Sequence, residues 1–157
     1  MGEGVNDVVA STTIGAQPEI VWEALTDPEL IKQYFLGTQV TTTWKVGDPM
    51  TYSGEYHGTV YKGTGTILAF DPPARLKTTH FSPASGLPDI PENHHTVEYV
   101  LDRTPGGTTV TITQSNNSSE DEVASSTATW QLVLSNLKEF LESVSGKNTL
   151  LGGNQGG

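Results

Sequence analysis

No cysteine occurs anywhere in the 157 residues. That absence removes disulfides, thiolate nucleophiles, cysteine-based zinc sites and iron–sulfur clusters from consideration. Positive charge is scarce as well: eight Lys and Arg stand against eighteen Asp and Glu, a net charge of −10. Nucleic acid and anionic membrane surfaces call for a basic footprint, so neither is expected as a partner. No stretch is apolar for long enough to span a bilayer, and no basic segment followed by an apolar run opens the chain. Membrane insertion is therefore not expected, and a cytoplasmic location is. Signature motifs are missing too. There is no Gly-x-Ser-x-Gly elbow, and Gly63-x-Gly65 lacks the third glycine and following helix of a phosphate-cradling loop. Those two glycines instead suggest a bend in a strand.

What is present is pattern. Val123, Thr127, Trp130, Leu134, Leu137, Leu141 and Val144 recur at steps of four and three, which lays one apolar stripe along a helix from about Ser119 to Val144. Ser126, Gln131, Ser135, Lys138 and Glu142 make its wet face. Ser118 or Ser119 is the expected N-cap, and with Ser119 in that place Glu122 completes a capping box. Glu120, Asp121 and Glu122 favour the positive end of the helix dipole, a structural role.

Upstream, Val5 to Ile14 reads as a first strand. Pro18 opens one short helix and Asp27-Pro28 a second, which Gly37 stops. Strands are then expected over Gln39–Trp44, Met50–His57, Val60–Phe70, Leu76–Phe81, His95–Asp102 and Thr108–Gln114, with a long proline-stiffened loop over Ser82–Asn93. Seven strands, a helix pair after the first and one long terminal helix need a layered arrangement. The expected class is α+β in the helix-grip form, a seven-stranded antiparallel curved sheet wrapped around the C-terminal helix. Residues 5–145 form the domain, and 146–157, rich in Gly and Asn, read as a flexible tail.

Candidate chemistry is thin. His94 and His95 are neighbours and face opposite ways on a strand, so they cannot chelate one ion without a bulge; no complete ligand set is visible, and neither metal nor cofactor is expected. Glu55, Glu98 and Asp102 have nothing to bring two of them together. The aromatic set is richer. Tyr34, Phe35, Trp44, Tyr52, Tyr56, Tyr99 and Trp130 fall on elements that should surround the helix–sheet gap. Tyr and Trp join a large apolar body to one hydrogen-bonding tip, which suits a pocket for an amphipathic molecule and equally suits an ordinary core. His80 and His95 add polar groups on inner-facing strand positions. Val97, Tyr99 and Leu101 share the face of His95, which should look at the long helix.

At Pro18-Glu19-Ile20-Val21-Trp22-Glu23-Ala24-Leu25-Thr26-Asp27-Pro28 the sequence resembles the opening of activator of heat-shock ATPase homologue-like (AHSA-like) domains, members of the START-like SRPBCC superfamily. The run Gly65-Thr66-Ile67-Leu68-Ala69-Phe70-Asp71-Pro72-Pro73, the hairpin at Gly106-Gly107-Thr108 and the helix through Trp130, Leu134 and Leu137 are similar to the same family. The likeness covers about Val5 to Val144. It implies a cavity between sheet and helix and supplies no catalytic residue.

The expected function is binding of a small hydrophobic or amphipathic ligand by Tyr34, Phe35, Trp44, Tyr52, Tyr56, His80, His95, Tyr99, Trp130, Leu134 and Leu137. Cyclase- or hydratase-type chemistry through a pocket His or Tyr is one alternative. Co-chaperone-like activation of a heat-shock ATPase in a stress response is the other. Co-chaperone members bind the ATPase partly through an additional N-terminal domain that these residues do not contain, which counts against that alternative; a chaperone ranks behind the small ligand as an expected partner. A monomer or weak homodimer is expected.

Overall fold

Threonine, valine and isoleucine in alternation build most of the sheet. The computed structural model describes residues 6–35, 37–56, 58–82 and 88–154, without the side chains of Tyr56, Thr59, Tyr61 and residues 144–154. Strand β1 (Val8–Ile14) leads into helices α1 (Pro18–Thr26) and α2 (Pro28–Tyr34). Then come β2 (Gln39–Thr42), β3 (Pro49–Tyr56), β4 (Thr59–Asp71), β5 (Arg75–His80), β6 (His95–Thr104), β7 (Gly107–Ser115) and α3 (Glu120–Asn154). The strands form one antiparallel sheet in the order β1-β7-β6-β5-β4-β3-β2. This is the helix-grip arrangement that the element order implies.

Local chemistry accounts for the boundaries. Asp27 ends α1 and caps α2, its Oδ1 accepting the Glu29 N–H at 2.9 Å while Pro28 takes the first helical position. The strand expected over Gln39–Trp44 stops at Thr42, because Trp44 adopts a left-handed φ of 62°. The first strand starts at Val8 rather than Val5.

Strand β4 changes partner midway. Thr59–Thr66 pair with β3, Ile67–Asp71 pair with β5, and the register slips between Ile67 and Ala69. A Cβ on Gly65 would fall 2.0 Å from the Thr79 carbonyl oxygen, so glycine permits this close crossing at the expected bend.

Helix α3 lies against the inner face of the sheet. Leu134, Leu137 and Leu141 are buried there with Val8, Ala10, Ile14, Val110 and Ile112. Full burial of each leucine is worth about 1.5–3 kcal/mol. From Trp130 to Leu141 the stripe is therefore core; Val123 and Thr127 are half-buried, and the Val144 side chain lies outside the described residues.

The expected wet face needs amendment. Lys138 Nζ donates to the Thr13 carbonyl at 2.7 Å, and Glu142 accepts both the Gly15 N–H at 2.9 Å and Lys138 at 2.7 Å. These bonds pin the helix to the end of β1. Ser126 is half-buried and accepts a hydrogen bond from Gln114.

The helix also continues to Asn154, ten residues past its expected end at Val144 and into the stretch read as a tail. No proline interrupts that stretch, so nothing forces the backbone ladder to stop. Among the described residues no helix is long and apolar enough to cross a membrane.

Candidate functional site

Alternate residues of a strand face the same side, so the register lays the inner face out in rows. One row runs Leu76, Tyr99, Ile112, Ala10; the next runs Thr78, Val97, Gln114, Val8; the last pairs His80 with His95. Polarity rises row by row toward the end of the sheet where α3 begins. The helix matches this gradient. Its second half presents Val133, Leu134, Leu137 and Leu141, while its first half presents Ser126, Thr129 and Trp130.

At the apolar end the interior is nearly full. A void of about 30 Å³ remains among Leu25, Ile31, Trp44, Met50, Leu134 and Leu137, room for little more than a water. Three phenols line or border it. The Tyr34 hydroxyl donates to the Ala24 carbonyl at 2.8 Å, and that of Tyr52 to Met50 Sδ at 3.2 Å. Burial pushes Tyr52 up to about 12 and raises Tyr34 and Tyr99 well above the usual phenol range. All three stay uncharged near neutrality.

Beyond Tyr99 the space opens. A cavity of about 260 Å³ is walled by Phe35, Tyr52, His80, Val97, Tyr99 and Trp130. The Trp130 indole meets Phe35 and Tyr99 edge-on, with ring centroids 5.5 and 5.9 Å away. Its Nε1–H donates to Gln114 Oε1 at 2.8 Å. Gln114 Nε2 in turn donates to Asn117 Oδ1 at 2.8 Å and to Ser126 Oγ at 3.2 Å. A buried amide with its bonds made fixes the rotamer of the cavity's largest wall.

His80, Ser82, Gln114 and Ser126 also line a second, larger space, a cleft of about 920 Å³ bordered by Glu92, His95, Asn117, Asp121 and Glu122. His95 Nε2 lies 2.8 Å from Glu122 Oε2, and Glu122 Oε1 accepts the Ser118 N–H at 2.5 Å. Ser119 caps α3 by accepting the Glu122 N–H at 3.1 Å. Burial alone would raise the Glu122 carboxyl, but the Ser118 hydrogen bonds and the nearby His95 outweigh it and hold it below the usual range. Among the described residues the buried His95 Nδ1 has no hydrogen-bond partner.

His80 packs edge-on to Tyr52, with ring centroids 5.2 Å apart, and lies 6.2 Å from the His95 ring. Burial first, then His95 and His94, lower it to about 4, against an opposing pull from Glu122. It is therefore an uncharged imidazole at neutral pH.

The candidate residues thus divide. Phe35, Tyr52, His80, Tyr99 and Trp130 come together around the larger cavity, and His95 sits in the cleft. Tyr34, Trp44, Leu134 and Leu137 border only the small void, where packing fills the space. Tyr56 closes β3 opposite Thr59, and its side chain lies outside the described residues. His95 bonds Glu122, and His94 turns away to Asp89 at 2.6 Å and stacks on Phe81. Of the loop over Ser82–Asn93, residues 83–87 lie outside the description; Pro91–Asn93 form a 3₁₀ turn, and Asn116 Nδ2 donates to the Glu92 and His94 carbonyls.

Sequence reasoning missed Gln114, Asn117 and Ser126, and gave Glu122 a capping role alone. The available signal was Gln114 itself, the inward-facing polar residue that follows Thr108, Val110 and Ile112 along β7.

Compared with known proteins, residues 15–142 match the family model described as activator of Hsp90 ATPase homolog 1-like protein. No functionally curated protein matches the chain. Among solved structures, it is similar to ChR145 from Cytophaga hutchinsonii at 42% identity, with a TM-score of 0.77 over 90% of this chain and 97% of that one. MLL2253 from Mesorhizobium loti is 24% identical, with a TM-score of 0.72 over 88% and 98% of the two chains. DynU16, a protein of the dynemicin biosynthetic locus, is 23% identical, with a TM-score of 0.73 over 87% of this chain and 47% of that one. The last two are likenesses of fold alone.

Proposed function

The chain belongs to the activator of Hsp90 ATPase homolog 1-like family, and from that premise we propose that it binds a small hydrophobic or amphipathic molecule beside Trp130. The observation that carries this reading is the contrast in free volume. About 260 Å³ stands open against Phe35, Tyr99 and Trp130, while the void at the apolar end, among Leu25, Ile31, Leu134 and Leu137, holds about 30 Å³. The volume approaches the lower end of the range for small-molecule sites, about 300–1,000 Å³. Apolar walls with a few placed polar groups are the usual lining of such sites, and the cleft at His80 offers an entry.

The test uses N-phenyl-1-naphthylamine, an uncharged apolar fluorophore. Saturable enhancement of its emission with quenching of tryptophan is expected, and Trp130→Phe should remove most of the tryptophan response. Trp22 and Trp44 remain as internal references. A response that survives Trp130→Phe intact would place the site elsewhere.

A second reading, acid–base chemistry on a bound molecule, draws on the His95–Glu122 pair. The carboxylate lies 2.8 Å from Nε2 and holds the ring beside the cleft. Its mark would be a turnover that His95→Gln abolishes while binding of the fluorophore persists. The chaperone reading rests on the family description. Among the described residues the large exposed apolar side chains, Val9, Ile20, Val46, Val60, Leu68, Ile90 and Leu132, are spread over four elements and two loops and lend it no support.

A further inference from the structure

We propose that the bound molecule carries an uncharged hydroxyl or carbonyl head that His80 receives, and that anionic amphipaths such as fatty acids are excluded. This deepens the binding reading above and rests on it. The first ground is the position of His80. It is the residue common to the cavity and the cleft that carries a ring with two hydrogen-bonding nitrogens. It makes no hydrogen bond among the described residues, and neither nitrogen is among the buried atoms that lack a partner. Its nitrogens therefore have open space beside them. Gln114 is held by Trp130, Asn117 and Ser126, and Glu122 by His95 and Ser118.

Gly63 contributes to that space. A Cβ there would stand 3.0 Å from His80 Nε2 and 3.3 Å from the Tyr52 ring, so any side chain would crowd the imidazole. Charge supplies the second ground. Among the described residues bordering the cavity, the formal cation is Lys62, which is exposed at the rim. Among the described residues the cleft is bordered by Glu92, Asp121 and Glu122 and by no Lys or Arg. A carboxylate head would leave water, meet like charges at the entrance and find no cation inside, an unfavourable exchange. An uncharged head meets the uncharged imidazole instead, which offers one donor and one acceptor.

Three probes that differ only in the head test this: naphthalene, 2-naphthol and 2-naphthoate, titrated calorimetrically at pH 7 into the full chain. One hydrogen bond in a shielded site supports a preference for 2-naphthol over naphthalene of about ten-fold, with 2-naphthoate the weakest. His80→Leu should erase the naphthol advantage, and His80→Gln, which keeps a donor and an acceptor, should retain most of it. Should His80→Leu fail to fold, the three probes on the unaltered chain still decide. Equal affinity for naphthol and naphthalene would overturn the role of His80. Naphthoate binding as tightly as naphthol, with the affinity lost in Lys62→Gln, would overturn the charge argument and leave the binding reading standing. Failure of all three probes to bind would remove both.

Discussion

From Val133 to Leu141, helix α3 meets the sheet with large apolar side chains and leaves about 30 Å³ empty. From Glu122 to Trp130 the same helix, over the same sheet, leaves about 260 Å³ and opens into a wide polar cleft. The difference lies in side-chain size on both layers. Ser126 and Thr129 replace leucines on the helix, and Thr78, Gln114 and His80 replace Leu76 and Ile112 along the strands. One end therefore holds the fold together, and the other is free to hold something else. Interiors are packed to crystal-like density, so a persistent volume at one end marks a site where packing was not the requirement.

The most severe break in the comparison comes at the closed end. Leu137→Ala should cost about 2–5 kcal/mol in chemical denaturation, as buried leucine truncations do. A change near zero would mean that the closed end is not core.

The next effect belongs to the open end and depends on pH. His80 titrates at about 4 in the folded chain against about 6.5 unfolded. Below 6.5 the unfolded chain takes up the proton first, so stability is full above that value, falls as pH drops from about 6.5 to 4, and levels off below. The size is on the order of 3 kcal/mol. The charges acting on His80 are those of His95 from β6, His94 before it and Glu122 from α3, and the Tyr52 phenol packs against its ring. The held-down Glu122 carboxyl adds its own loss below the usual carboxylate range. Comparing His80→Gln with the parent isolates the histidine share: the variant's stability should be flatter between pH 6.5 and 4. Identical profiles would show that His80 is not the titrating group.

Gln114→Leu should cost about 1–3 kcal/mol, because it strands the Trp130 indole N–H and the Asn117 amide inside. Its closed-end counterpart, Ile112→Val on the same strand face, should cost about 0.5–1.5 kcal/mol. A Gln114→Leu cost well under about 1 kcal/mol would show that the Gln114 network is no more than filler. Smallest is Ser119→Ala, about 1 kcal/mol for a lost N-cap, measured by thermal unfolding. A loss well beyond that would show that the cap also holds the His95–Glu122 pair in place.

The closed end was readable from the residues because a helical stripe and strand alternation are periodic signals. Trp130, Leu134 and Leu137 fall where the three-and-four spacing puts them. The open end was not readable in the same way. Its volume arises from the meeting of Thr129 and Ser126 with residues as far back in the chain as Phe35, Tyr52 and His80, and no local pattern reports such a sum. Glu122 shows a second cause: a carboxylate in a helix's first turn already has a sufficient local explanation, which concealed its bond to His95. The run Ala124-Ser125-Ser126-Thr127-Ala128-Thr129 was the clue available, since small side chains on a helix that must cover a sheet leave space. The helix end was misplaced for the opposite reason, because glycine and asparagine weaken a helix without ending it.

The central claim is that a ligand occupies the open end and not the closed one. Amide and indole NMR shifts on titration with N-phenyl-1-naphthylamine test it most directly. The account predicts saturable shifts at the Trp130 Nε1–H and at the amides of His80, Val97 and Gln114, with Leu137 and Leu141 unmoved. Shifts centred on Leu137 and Leu141, or on the outer face of the sheet at Val9 and Thr111, would contradict it.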